Sequence, residues 1–223
     1  MSPAGWTGLA KAAERTAREM KPQEVSNSLN ALSKLEAAAA AVSPAGWAGL
    51  AMAAERTARE MNPQAVANTL NALTKLHAVE AVVSPAGCAG LAEAAERTAR
   101  EMKPQEVSNS LNALSKLEAA AAAVSPKGWA DLAEAVGRTA SQMNPQNAAN
   151  TLNALGKIEA AAAAVSSEGW AGLAEAVERT AREMNPQDVA NILNALTKLD
   201  ETGLLLTSTR CPVETHLTAT TSV

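Results

Sequence analysis

The chain has no phenylalanine and no tyrosine; its four tryptophans are the whole aromatic content, 2% of 223 residues. Strands of a β-sandwich or barrel draw heavily on aromatic and β-branched side chains, so this composition argues against an all-β fold. Cys88 and Cys211 stand apart from each other and from any metal-type spacing. That count excludes a disulfide framework and is compatible with a reducing compartment. His77 and His216 do not assemble a Ser/His/Asp or Cys/His set, and no Gly-rich phosphate loop is present. Nothing here supports catalysis, a cofactor or a metal. No apolar run is longer than Ala37 to Val42, far below the roughly 20 residues of a membrane span. Met1 is followed by Ser2-Pro3 rather than a basic stretch and an apolar core, so neither a secretory signal nor a transit peptide is expected.

What the chain has instead is alanine: 53 of 223 residues, about 24%. Alanine has the best intrinsic helix propensity, so the balance points to a helix-rich protein with a light core. The net charge is -4, which argues against a strongly basic nucleic-acid binder on average, though patches matter more than totals.

An internal repeat decides the fold. The text that starts at Ser2 returns at Ser43, Ser84, Ser125 and Ser166, a period of 41 residues. The units are 2–42, 43–83, 84–124, 125–165 and 166–206, with a Thr-rich segment 207–223 expected to be disordered. Units one and three differ only at Trp6/Cys88, Thr7/Ala89 and Lys11/Glu93. Such closeness suggests recent duplication, so identity between units is weak evidence that a residue is needed.

Each unit reads as a helical hairpin. Ser43-Pro44 and its counterparts place a Ser N-cap before a proline at the first helical position, where the missing N–H costs nothing. Trp6, Leu9, Ala10, Ala13, Ala17 and Met20 form one apolar stripe at helical spacing. Asn62, Asn144 and Asn185 cap the second helix in three units; Lys21 and Lys103 stand there in the others. The second stripe is Val25, Leu29, Leu32, Leu35, Ala39 and Val42, with the Ala run expected to lengthen that helix. One hairpin cannot bury both stripes, so stacking is required. The expected fold is all-α, an α-solenoid of five helix-turn-helix repeats, with Leu204–Leu206 covering the open end of the last pair.

The second-helix segments MNPQAVANTLNALTKL (61–76) and MNPQDVANILNALTKL (184–199) resemble the octotricopeptide repeat family, as does the SPAGW segment. The resemblance covers all five units. It implies an RNA-binding α-solenoid of the kind that acts in organelle RNA processing, stability and translation, and hence a chloroplast or other organelle setting.

Two faces are candidates for contact. Gln23, Asn27, Asn30 and Lys34 fall at i, i+4, i+7 and i+11, one helical face. The set recurs as Gln64, Asn68, Asn71, Lys75; Gln105, Asn109, Asn112, Lys116; Gln146, Asn150, Asn153, Lys157; and Gln187, Asn191, Asn194, Lys198. It holds amides, one cation and no carboxylate in every unit. Amides can bond base edges and lysines can meet phosphates, so this row is the candidate site for single-stranded RNA along the inner face. The same row also reads as a solvated polar face, or as Asn side chains bonding neighbouring units. On the first helix, Arg15 and Arg18 recur in most units, but Glu14–Arg18 and Arg15–Glu19 are i, i+4 pairs that partly neutralise them. That face reads as solvated. The tryptophans lie in line with Leu and Met, so they read as core, and Cys88 predicts a packing defect in unit three.

Unit charges run +1, 0, -1, 0 and -4, so the acidity sits in unit five. The leading expectation is a non-enzymatic RNA-binding array. A HEAT-like protein-interaction scaffold, or a non-functional fragment of a longer array, remains open.

Overall fold

The computed structural model describes residues 2 to 204; the segment 207–223, and Leu205 and Leu206 of the expected end cover, lie outside the described residues. Unit one holds α1 (Pro3–Thr16), α2 (Pro22–Leu32) and a short α3 (Glu36–Ala39). Unit two repeats this as α4 (Pro44–Thr57), α5 (Pro63–Leu73) and α6 (His77–Glu80), and unit three as α7 (Pro85–Thr98), α8 (Pro104–Leu114) and α9 (Glu118–Ala123). Unit four contributes α10 (Pro126–Thr139), α11 (Pro145–Leu155) and α12 (Glu159–Ala164), and unit five α13 (Ser167–Thr180) and α14 (Pro186–Glu201). Among the described residues there is no strand.

The caps explain where helices start. Ser43, Ser84 and Ser125 accept from the backbone N–H of the glycine three residues on, at 3.0, 2.9 and 2.9 Å. Asn62 and Asn144 do the same for Ala65 and Asn147, both at 2.8 Å. Lys21 and Lys103 have no accepting side chain, and there the carboxylates of Glu24 and Glu106 turn back onto the Lys backbone N–H, each at 2.8 Å. The exchange of cap and third-turn residue is therefore paired: either end satisfies one orphan donor of the helix start. First helices stop where Thr57, Thr98 and Thr139 donate their hydroxyls to the carbonyl four residues back, each at 2.8 Å. A short 3-10 turn follows in units two to five, for example Ala58–Glu60.

The second helix does not run on through the Ala stretch in units one to four. It ends at Leu32, Leu73, Leu114 and Leu155, and the chain bends through Leu35 (φ -117°, ψ 82°) and its counterparts before the short helix begins. Ser33, Thr74 and Ser115 hold the break by donating to the carbonyls of Asn30, Asn71 and Asn112 at 2.8–2.9 Å. The reason is tertiary: the Ala ribbon folds back against the first helix of its own unit. Unit five has Thr202-Gly203-Leu204 instead of that ribbon, and its helix continues to Glu201. Gly203, at φ 73°, then ends it in the left-handed region.

The first helices α1, α4, α7, α10 and α13 pack neighbour to neighbour, and so do the second helices α2, α5, α8, α11 and α14. The molecule is an all-α solenoid with a continuous core between two helix layers. Inside the array both stripes are buried as their spacing dictates: Trp47 and Trp129 are 7% exposed, and Leu50, Leu91, Leu132 and Leu173 at most 1%. Trp6 and Trp170 are half-buried, and Leu9 and Leu35 of unit one are exposed. Each such side chain contributes about 1.5–3 kcal/mol of burial. At Cys88 the core opens into a cleft of about 360 Å³ against Leu73, Val83, Leu91, Leu117 and Ala120. Cys88, in the place of the tryptophan of the other units, lines this cleft.

Candidate nucleic-acid interface

Because the second helices lie side by side, their repeated polar rows form one surface across the units. Gln23, Gln64, Gln105, Gln146 and Gln187 are all exposed at the start of that surface. Gln23 and Gln187 donate to Asn27 and Asn191 at 3.0 and 2.9 Å, so these amides are pre-oriented along their own helix. Asn68, Asn109, Asn150 and Asn191 are half-buried. The third position sinks deeper inside the stack: Asn30, Asn71 and Asn112 are half-buried, Asn153 is 9% exposed, and only terminal Asn194 is fully open. Asn153 therefore presents little amide surface outward.

The lysines are placed differently from a straight-helix reading. In units one to four they sit in the tightened turn after the second helix, where Lys34, Lys75, Lys116 and Lys157 donate their backbone N–H to the carbonyl three residues back at 2.9–3.1 Å. Their side chains are exposed, and Lys198, still inside α14, is half-buried. None of the five belongs to an ion pair among the described residues. One of them feels its neighbours. The Lys157 amine is held below the ordinary lysine value, first by burial and then by the neighbouring charges of Lys198 and Lys116. The row is thus a ladder of adjacent, uncompensated cations bordered by amides, a surface suited to an anionic chain.

The arginines of the first-helix face are exposed, as expected, but their pairing differs from the sequence expectation. The Glu14–Arg18 and Arg15–Glu19 pairs do not form; ion pairs among the described residues are His77–Glu80, Arg100–Asp131 and Lys127–Asp131. Glu14, Glu55 and Glu96 instead accept from the hydroxyls of Ser43, Ser84 and Ser125 in the next unit, at 2.8, 2.8 and 2.9 Å. Arg56, Arg97, Arg138 and Arg179 reach the other way, donating to the carbonyls of Met20, Met61, Met102 and Met143 at 2.7–2.9 Å. The Met carbonyl after each first helix accepts no backbone N–H among the described residues, and a guanidinium satisfies it while a nearby carboxylate cannot. This arginine set is structural. The second set, Arg18, Arg59, Arg100 and Arg182, stays exposed, with Arg100 3.5 Å from Asp131 of the following unit. The Asp131 carboxyl is held below the usual range, chiefly by its hydrogen bond from Lys127.

Glycine permits the Glu–Ser contact. A Cβ on Gly128 would lie 2.2 Å from Glu96 Cγ. Sequence reasoning missed both inter-unit links, although their signal was there: Glu and Arg recur at fixed positions opposite a recurring Ser-x-x-Gly.

A family described as a protein of unknown function, DUF1601, matches residues 50–70, 130–152 and 172–193. Each matched segment runs from the first helix into the second, and the three together span less than a third of the chain. Each includes the arginine that reaches back to the preceding unit, here Arg56, Arg138 and Arg179, and the first two members of the polar row, but not its lysine. No curated protein matches the chain. Three of the five units thus each carry a segment similar to that family.

Proposed function

We propose that the chain is a non-enzymatic array that binds single-stranded RNA along the second-helix row. The observation that carries this reading is the lysine ladder: Lys34, Lys75, Lys116, Lys157 and Lys198 recur one per unit without an ion pair. Mutual repulsion, felt at Lys157 from both sides, is relieved when a polyanion displaces the counterions around such a row. Exposed Gln amides at the other end of each second helix offer hydrogen bonds to bases. The resemblance to octotricopeptide repeats supplies the class of nucleic acid, and extends the reading to organelle RNA stability or translation. No described helix is long and apolar enough to cross a membrane. Near-identical units imply a repetitive base preference. The -4 charge of unit five lowers affinity at that end.

Fluorescence anisotropy with labelled single-stranded RNA tests this. Five phosphate contacts on a single strand give a log–log salt slope of about -3.5, roughly a hundredfold loss between about 50 and 200 mM salt. Changing all five lysines to Gln abolishes that slope and most of the affinity. No binding at low salt, or unchanged binding by the five-lysine variant, sinks the reading. Salt-insensitive binding of a defined polypeptide by the same row favours a HEAT-like scaffold instead.

A further inference from the structure

The two ends of the array are unlike its interior. Leu9 is 53% exposed, whereas Leu50, Leu91, Leu132 and Leu173 at the same position of later units are at most 1%. Leu35 is 44% exposed, against 7% for Leu76 and Leu117. In later units both positions are covered by the unit before. At the other end, Val189 and Leu193 are 43% and 60% exposed, whereas Val25, Val66 and Val107, and Leu29, Leu70 and Leu111, are all at 0%. Here the cover is the unit after. Among the described residues, four of the six exposed large hydrophobics are these end residues.

The polar links are also half-built at each end. Glu178 stands where Glu55 and Glu96 accept from the next unit's serine, and Ser2 stands where Ser84 and Ser125 donate. Among the described residues Arg15 makes no such bond, while Ala181 and Met184 hold the carbonyl positions that Arg56, Arg97, Arg138 and Arg179 satisfy internally. Charge agrees, with +1 on unit one and -4 on unit five. The unit-five face and the unit-one face are therefore the two sides of an interface whose arginine link this chain forms four times within itself, and whose Glu–Ser link it forms three times.

We propose that these faces dock onto each other head to tail between copies of this chain, extending the solenoid. The contact is heterologous: it uses different surfaces on the two copies, so it does not close at a dimer but continues. It involves the ends of the stack and not the lysine row, so it stands independently of RNA binding.

Sedimentation velocity on the full chain over a concentration series tests it. The expected result is a series of species at successive multiples of 22.8 kDa that grows with concentration and shrinks with salt. Leu9→Glu blocks one end and Leu193→Glu the other; both positions are exposed, and circular dichroism checks that helicity is kept. Each variant alone stays monomeric, and an equimolar mixture stops at a one-to-one dimer, because each retains the end the other lacks. A chain that is monomeric at every concentration overturns the proposal. So does a dimer that does not grow, or a pair of variants that fails to complement.

Discussion

Arg138 donates its Nη2 to the carbonyl oxygen of Met102 at 2.9 Å, across 36 positions of sequence. The same guanidinium nitrogen reaches Ala99 at 3.0 Å. One side chain thus closes the end of the preceding unit's first helix, and the link recurs in every described unit that has a predecessor.

Arg138→Met removes that cap. A charged hydrogen bond to partly solvated carbonyls is worth about 1–2 kcal/mol after discounting for exposure. Urea unfolding is expected to show a midpoint lowered by that amount with an unchanged slope, and hydrogen exchange to rise first at the junction of units three and four. An unchanged midpoint would remove the arginine from the structural ledger.

Gly137 occupies the position where units one to three carry Glu14, Glu55 and Glu96. The junction between units four and five therefore lacks the carboxylate-to-serine link, although Ser166 is in place and caps its own helix. Gly137→Glu supplies the carboxylate. A Cβ there would lie 3.3 Å from Gly169 Cα, close enough to ask for a small adjustment. The substitution is expected to stabilise by about 1–2 kcal/mol, and Gly137→Ala by about 0.5–1, the part due to removing a helical glycine. Equal effects from the two would mean that no link forms.

Cys88 stands in the place of an indole. Cys88→Trp refills the cleft with the side chain that units two and four bury, and about 1–2 kcal/mol of stabilisation is expected in thermal unfolding. Before refilling, amides of unit three exchange faster than those of unit four. Burial, and then the charges of Glu80 and Glu55, push the Cys88 thiol up. With Cys211→Ser as background, alkylation of the native protein is therefore slower than that of the unfolded chain at mildly alkaline pH. The linkage sign follows: both states are protonated below the unfolded thiol's pKa, and above it the unfolded state releases its proton first. Stability falls as pH rises through that window, and Cys88→Ala flattens the decline.

Thr151 Oγ1 and Ser110 Oγ are buried without a hydrogen bond among the described residues. Thr69, at the same register, rests its hydroxyl 3.7 Å from Met61 Sδ, a weak acceptor, and unit five carries a buried Ile192 there. Thr151→Val keeps the shape and removes an unsatisfied polar atom, so it is expected to stabilise by about 1 kcal/mol in the same urea assay. A loss of stability would reveal a partner for the hydroxyl.

Much of this was legible in the chain itself. The 41-residue period, the Ser-Pro and Asn-Pro helix starts and both apolar stripes are local features, set by propensity, capping and spacing within one unit. They placed Trp47 and Trp129 in the core and marked Cys88 as a gap. They also placed the exposed lysines in a row, since a repeated residue on a stacked unit makes a ladder whatever the exact curvature.

Three things required packing beyond the single helix. The second helix stops at Leu32 and its counterparts because the Ala ribbon finds a first helix to fold against, an apolar contact that outweighs alanine's helix preference. Asn153 is buried where Asn194 is open, because among the described residues only Asn153 has a following unit. Glu14 and Arg15 suggest partners four residues away, yet Glu14 bonds Ser43 and the arginine series bonds carbonyls 36 and 39 positions back. A sequence determines its local donors and acceptors and their spacing. Which of them remain unsatisfied, and so are available to bind across units, depends on which helix ends come to lie together, and that is decided only when the units stack.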